Sequence, residues 1–257
     1  MNQKTLMTDQ DQQYDAISKW LTGVDEAETW KEWGNAYLEV AKSLLQHFNQ
    51  QQAPVTGYLI GIVLIVFSLQ SALFLYMTGS STAGIIAILS QKGALRGVSA
   101  HIFLEFPWIA WPLAEFMHKG IAHLFGNIAL LAILGKIVEP RFKRRYYILW
   151  FVAIAIIVKP IDAYISLSTS PKSNVAVYGI SDFVYSLAVF SVFTLLNTDY
   201  RNELEYVALL VGGLAILLVN LNIVLAVIDA SIDPVNPAHL LGGIIGGVVF
   251  GIVRFRQ

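Results

Sequence analysis

The chain has 257 residues, of which 56% are hydrophobic and 14% charged, and its mean hydropathy is +0.59. Soluble domains are closer to half apolar and a quarter charged, so this composition argues against a water-soluble fold. The absence of cysteine removes disulfide frameworks, thiolate metal sites and a cysteine nucleophile, and a formal net charge of −1 gives no electrostatic case for nucleic acid.

Residues 1–55 form a distinct polar region. It begins MNQKTLMTDQDQQ, without the basic start and short apolar core of a cleaved signal peptide. Trp20, Leu21, Val24, Trp30, Trp33, Tyr37, Val40, Leu44 and Leu45 recur at near-helical spacing, which predicts one or two amphipathic helices. Asp25, Glu26, Glu28 and Glu32 offset the scattered lysines. A small cytosolic cap, or a segment that binds an unidentified cytosolic partner, is therefore expected rather than a basic lipid-binding helix.

Beyond residue 55 the chain turns apolar. A bilayer core about 30 Å thick takes roughly 20 apolar residues per helix. Six stretches qualify, at approximately 57–78, 121–138, 146–165, 175–196, 205–229 and 236–253. The third is interrupted near Lys159-Pro160, and the fourth carries Gly179, Ser181 and Asp182 near its start. Between the first two lies a long connection, 79–120, whose run at 83–89 is too short to span. Its middle, His101 to Trp111, mixes aromatics with Pro107 and Pro112, the composition of an interfacial loop. No internal repeat is evident, which counts against transporter folds built from duplicated halves. The expected fold is an all-α membrane protein, a six-transmembrane-helix bundle over 56–257 preceded by the small helical cytosolic region 1–55.

Basic residues flanking short loops orient such a bundle. Lys136, Arg141, Lys143, Arg144 and Arg145 crowd the connection between the second and third stretches, which places that loop in the cytoplasm. Six crossings then put both termini inside, in keeping with Arg254 and Arg256, and leave 79–120, 159–174 and 230–235 outside. His118 and His123 at the second helix, Ser181 at the fourth and His239 at the sixth consequently share one depth near the outer face. Ionisable groups in spanning segments are costly, so they face a bundle interior or a wet cavity and mark function.

A nucleophilic hydroxyl needs a base within hydrogen-bond reach and donors aimed at the developing oxyanion. Ser181 and His239 can fill the first two roles, and His123 and Asn127, four residues apart on one helix face, can supply donors. Gly242, Gly243, Gly246 and Gly247 follow His239 at a spacing that lets two helices approach closely in lipid. Each element alone has an ordinary reading: Gly-x-Ser is a common packing motif, and a His–Asn pair can simply be a hydrogen bond between helices. The His-Glu-x-x-His spacing of helical zinc proteases is missing, so no metal is expected.

Three segments carry a more specific signal: His118-Lys-Gly-Ile-Ala-His123-Leu-Phe-Gly-Asn127, Gly179-Ile-Ser181-Asp182 and Ala238-His239-Leu-Leu-Gly242-Gly-Ile-Ile-Gly246. In order and helix placement they resemble the signature elements of the rhomboid family of intramembrane serine proteases, and the resemblance covers 57–257. Tyr185 matches an aromatic position that stacks on the catalytic histidine in that family, and Glu139 and Arg141 resemble the acidic and basic pair that ends its second helix. The resemblance implies a rhomboid-like bundle with a Ser181–His239 dyad and an oxyanion site of His123, Asn127 and the Ser181 N–H. Tyr185, His118, Gly179 and Gly242 would be supporting residues, with no cofactor. It implies transmembrane-protein substrates, the lipid bilayer as surroundings and, with no targeting signal in view, a bacterial inner membrane.

Two departures stand out. The first loop has no clear Trp-Arg pair, and Asp182 follows the serine where most members have glycine. Successive helical residues lie about 100° apart, so Asp182 is expected to point away from the Ser181 hydroxyl and not to orient His239. Beside the oxyanion site it must be solvated, paired or protonated, and capping the start of its own helix is the expected placement. Its neutralisation is then expected to keep activity within about tenfold. Asp182 also motivates the alternative, a catalytically inactive rhomboid-like protein that binds transmembrane segments. A transporter or channel is a third class, disfavoured by the missing repeat.

Overall fold

The structure is a computed structural model that describes residues 42, 53–78, 98–99, 107–169, 176–198, 202–228 and 237–254. The amphipathic N-terminal pattern, the run at 83–89 and the turn at 230–235 lie outside these. In chain order the elements are α1 (Pro54–Thr78), β1 (Val98–Ser99), α2 (Pro107–Phe116), α3 (Ile121–Val138), a 3-10 turn (Glu139–Arg141), α4 (Arg144–Thr169), β2 (Ala176–Val177), α5 (Ser181–Leu196), α6 (Glu203–Ile228) and α7 (Pro237–Arg254). β1 and β2 form a two-stranded antiparallel ladder, Val98 opposite Val177, and the other described elements are helical.

Four helical segments are long and apolar enough to cross a bilayer: Pro54–Tyr76, Ile121–Arg141, Arg144–Ile165 and Glu203–Asn222. Ser181–Leu196 and His239–Val253 are apolar but shorter. The fourth expected stretch is shorter than its composition suggests because 176–180 is strand and turn, and helix begins only at Ser181. Two further expectations need correction. The supposed interfacial loop contains α2, which Pro107 opens; proline suits a first helical position because its missing N–H would be unpaired there anyway. The interruption at Lys159-Pro160 does not end α4, which continues through Pro160 to Thr169, so most of the expected outer loop 159–174 is helix. A proline inside a spanning helix is tolerated where neighbouring groups satisfy the freed backbone, and here Lys159 and Asp162 on either side of it are both buried.

α5 is the axis of the bundle. Residues Ser181 to Ala188, Phe190, Ser191 and Leu195 are buried, so nearly its whole circumference is covered, the condition of a helix apolar on every side. On one flank, Trp150 packs edge-on against Phe183 and donates its indole N–H to Ser186 Oγ at 3.1 Å, which satisfies two polar groups inside the core. On the other flank lies α7, pressed close by glycines. A Cβ on Gly242 would stand 2.5 Å from the Asp182 carbonyl oxygen, and one on Gly246 2.3 Å from the Ser186 carbonyl oxygen. At Gly251 a Cβ would meet nothing within 4 Å. Gly242→Ala is therefore expected to force α7 off α5 and cost about 1–3 kcal/mol, as overpacking does. Gly251→Ala should be neutral or slightly stabilising; thermal unfolding in detergent distinguishes the two.

Exposed leucines along α1 and α6, Leu69, Leu210 and Leu217 among them, leave these helices to face lipid. α1 is fixed at its start by Glu139, whose two carboxylate oxygens accept the Val55 and Thr56 N–H groups at 2.8 and 2.7 Å. Glu139 thus does not pair with Arg141, which binds Glu205 at 3.0 Å and the Ile137 carbonyl. Further along α1, Gln70 holds the turn before α3 with two bonds, to the His118 carbonyl and from the His118 N–H.

Candidate active site

A cavity of about 330 Å³ opens among α3, α5, α6 and α7, and its lining includes His123, Asn127, Ser181, Tyr185 and His239. Residues as far apart in sequence as His123 and His239 thus line one space, and His123, Ser181 and His239 each sit in the first turn of their helix. α5 starts at Ser181, which puts the hydroxyl in the first turn. The first intrahelical bond there runs from Val184 N–H to the Ile180 carbonyl, so the N–H groups of Ser181, Asp182 and Phe183 have no partner within the helix. Ile180 at the cap offers no side-chain acceptor. The positive end of a helix with free donors lies beside the hydroxyl, a favourable setting for a developing oxyanion.

Gly179 shapes the approach to this helix. Its φ of +88° lies in the left-handed region, and a Cβ would stand 2.8 Å from His123 Cε1 and 3.6 Å from Ser181 Oγ. Only glycine fits both the conformation and the space. Its N–H donates to the Ala114 carbonyl of α2 at 2.7 Å.

His123 and Asn127 face each other as their spacing predicts, and the amide Nδ2 lies 3.3 Å from His123 Nε2. The two expected donors satisfy one another across one helical turn. His118 is fully buried, 5.1 Å from His123 between ring centroids, and its Nδ1 donates to the Phe116 carbonyl at 3.1 Å. Burial pushes its imidazole down to about 4, so it is a neutral packing neighbour of His123. Tyr185 meets the His239 ring edge to face at 6.2 Å rather than stacked, and its hydroxyl accepts from Asn220 Nδ2.

Asp182 departs furthest from expectation. It does not cap α5 or point clear of His239: its Oδ1 lies 3.4 Å from His239 Nδ1, and its Oδ2 2.8 Å from Lys159 Nζ. The 100° between Ser181 and Asp182 is an angle about α5 alone, and α7 packs closely enough for one imidazole to border both. Sequence reasoning missed Lys159, taking it for part of a helix break. Its ammonium also donates to the Gly179 carbonyl at 2.6 Å, so it grips the backbone before Ser181 and the carboxylate after it. Glu115 on α2 completes the cluster, 3.9 Å from Lys159. Burial pushes its carboxyl up to about 8, against the pull of Lys159. Asp182, at 2.8 Å, is the nearer partner of Lys159.

The profile of the Rhomboid domain matches residues 105–257. The chain belongs to the rhomboid family. No curated protein and no solved structure matches it. The rhomboid match begins ahead of α2 and includes every residue of the cavity lining, whereas α1, part of the resemblance read from residue 57, lies before it. Among the described residues no cluster of His, Cys, Asp and Glu is arranged to hold a metal.

Proposed function

We propose that this rhomboid is an intramembrane serine endopeptidase that hydrolyses peptide bonds in or next to transmembrane segments of other membrane proteins. The observation that carries this reading is the convergence of Ser181, His239, His123 and Asn127 on one cavity beside the free N–H groups of α5. Ser181 Oγ attacks the scissile carbonyl while His239 takes its proton. Nδ1 of His239 faces Asp182, which leaves Nε2 as the nitrogen available to the serine. His123, Asn127 and the Ser181 N–H hold the oxyanion; the His123–Asn127 bond opens so that both can donate to it. The protonated His239 then gives its proton to the leaving amine, and water hydrolyses the acyl-enzyme by the same steps.

In this reading all six apolar helices cross the membrane, both termini are cytoplasmic, and the cavity opens toward the outer face of a bacterial inner membrane. Residues 1–55 are left to a cytosolic partner. The alternative of a non-cleaving rhomboid that binds transmembrane segments drew on Asp182 as a charge opposing the oxyanion. The ion pair with Lys159 weakens that argument.

The direct test is a serine-reactive fluorophosphonate probe on protein in liposomes. Labelling at Ser181, absent from Ser181→Ala, supports the enzyme; an unlabelled wild type supports the binding protein. For the oxyanion donors, His123→Ala and Asn127→Ala are each expected to lower kcat by roughly 10- to 1000-fold with small effects on KM. Unchanged kcat in both variants would remove them from that role.

A further inference from the structure

We propose that Asp182 is the positioning residue for His239 and that Lys159 holds it in that role, so the nucleophile and base work within a relay Lys159–Asp182–His239. The inference rests on the assignment of His239 as base. The carboxylate has the placement it requires. Asp182 is completely buried, one of its oxygens is taken by the Lys159 ammonium at 2.8 Å, and the other lies 3.4 Å from His239 Nδ1. Among the described residues neither that oxygen nor that ring nitrogen has another hydrogen-bonding partner, and both are shielded from solvent. A closure of a few tenths of an ångström gives an N–H···O⁻ bond of ordinary length between them.

The chemical effect follows from the two nitrogens of the ring. A carboxylate at Nδ1 keeps the proton there, so the lone pair of Nε2 stays directed to Ser181. When Nε2 takes the serine proton, the imidazolium forms next to a negative charge in a site of low dielectric. The Asp182 carboxylate faces that cation and stabilises it. Lys159 is needed for two reasons. It fixes the orientation of the carboxylate by occupying the second oxygen, and it balances a charge that would otherwise oppose the oxyanion one residue away. Its bond to the Gly179 carbonyl ties this pair to the backbone that delivers Ser181.

A plain counter-ion role for Asp182 makes a different prediction, and charge-neutral replacement separates the two. The full chain in liposomes, acting on a transmembrane substrate, is compared with Asp182→Asn, Lys159→Met and the double variant Lys159→Met/Asp182→Asn. Asp182→Asn is expected to lower kcat by about 10²- to 10⁴-fold with KM within about twofold, the upper end being the loss seen when a triad carboxylate becomes an amide. The double variant, in which no charge is left stranded, should regain most of the thermal stability that Lys159→Met loses but not kcat. Wild-type kcat in the double variant, or a loss under tenfold in Asp182→Asn, overturns the proposal. Nitrogen NMR of the His239 ring gives a reading independent of cleavage: Nδ1 should carry the proton in the wild type and share it with Nε2 in Asp182→Asn. An unchanged tautomer also overturns the proposal. Failure of wild type to cleave or label at Ser181 sinks the protease assignment itself, and the NMR comparison still decides whether Asp182 positions the ring.

Discussion

Ser181→Ala and His239→Ala are each expected to lower kcat by about 10⁴- to 10⁶-fold, and the double variant to be little worse than either one. The expectation of non-additivity comes from the division of labour proposed for the cavity. Without the base the serine is a neutral alcohol, and without the serine the base has no proton to take. Whichever is removed, the free N–H groups of α5 and the His123–Asn127 pair still bind the polarised carbonyl, which sets a common residual rate. Folding should be retained because both side chains border a cavity; Ser181 is 9% exposed and the His239 side chain 21% exposed. Kinetics on a transmembrane substrate, paired with thermal unfolding, check both halves. Losses that multiply in the double variant would mean that the two residues act separately.

The largest effect on stability is expected at Lys159. Lys159→Met removes the cation while leaving the Asp182 carboxyl fully enclosed, and breaking a buried pair from one side costs about 3–5 kcal/mol. Methionine fills much of the same volume, so the loss reflects the stranded charge rather than a void. The freed Gly179 carbonyl adds to it, since a buried acceptor left without its donor costs about 1–3 kcal/mol. Asp182→Asn on the same background should return most of the stability. If Lys159→Met unfolds at the wild-type temperature, the ion pair carries no structural weight.

How far the sequence anticipates this structure depends on whether a signal is local. α3 spans Ile121–Val138, the stretch expected at 121–138, because an apolar run is bounded on one side by Gly120 and on the other by Glu139-Pro140. The glycines of α7 were legible as a close contact because small residues at helical spacing have few other uses in lipid, and the contact they make is with the backbone of Asp182 and Ser186. The pooling of Ser181, His239, His123 and Asn127 followed from topology and shared depth. Lys159 was not legible. A lysine next to a proline in an apolar stretch reads as a break, and the carboxylate that makes it tolerable sits 23 positions away on another helix. Glu115 was hidden in the same way, inside a connection whose aromatics and prolines resemble a loop. The direction of Asp182 was misread because helical spacing fixes angles about one axis and says nothing of which neighbour occupies each direction.

The ion pair between α4 and α5 also bears on how the chain is made. α4 reaches the bilayer before α5 has been synthesised, and at that stage Lys159 enters without Asp182. A lysine at the centre of a nascent helix adds about 2.5–3.5 kcal/mol to its insertion. Pro160, on the same turn, adds to the difficulty. The two helices are thus poor candidates for independent insertion and good ones for entering as a hairpin, in which each carries the other's charge into lipid.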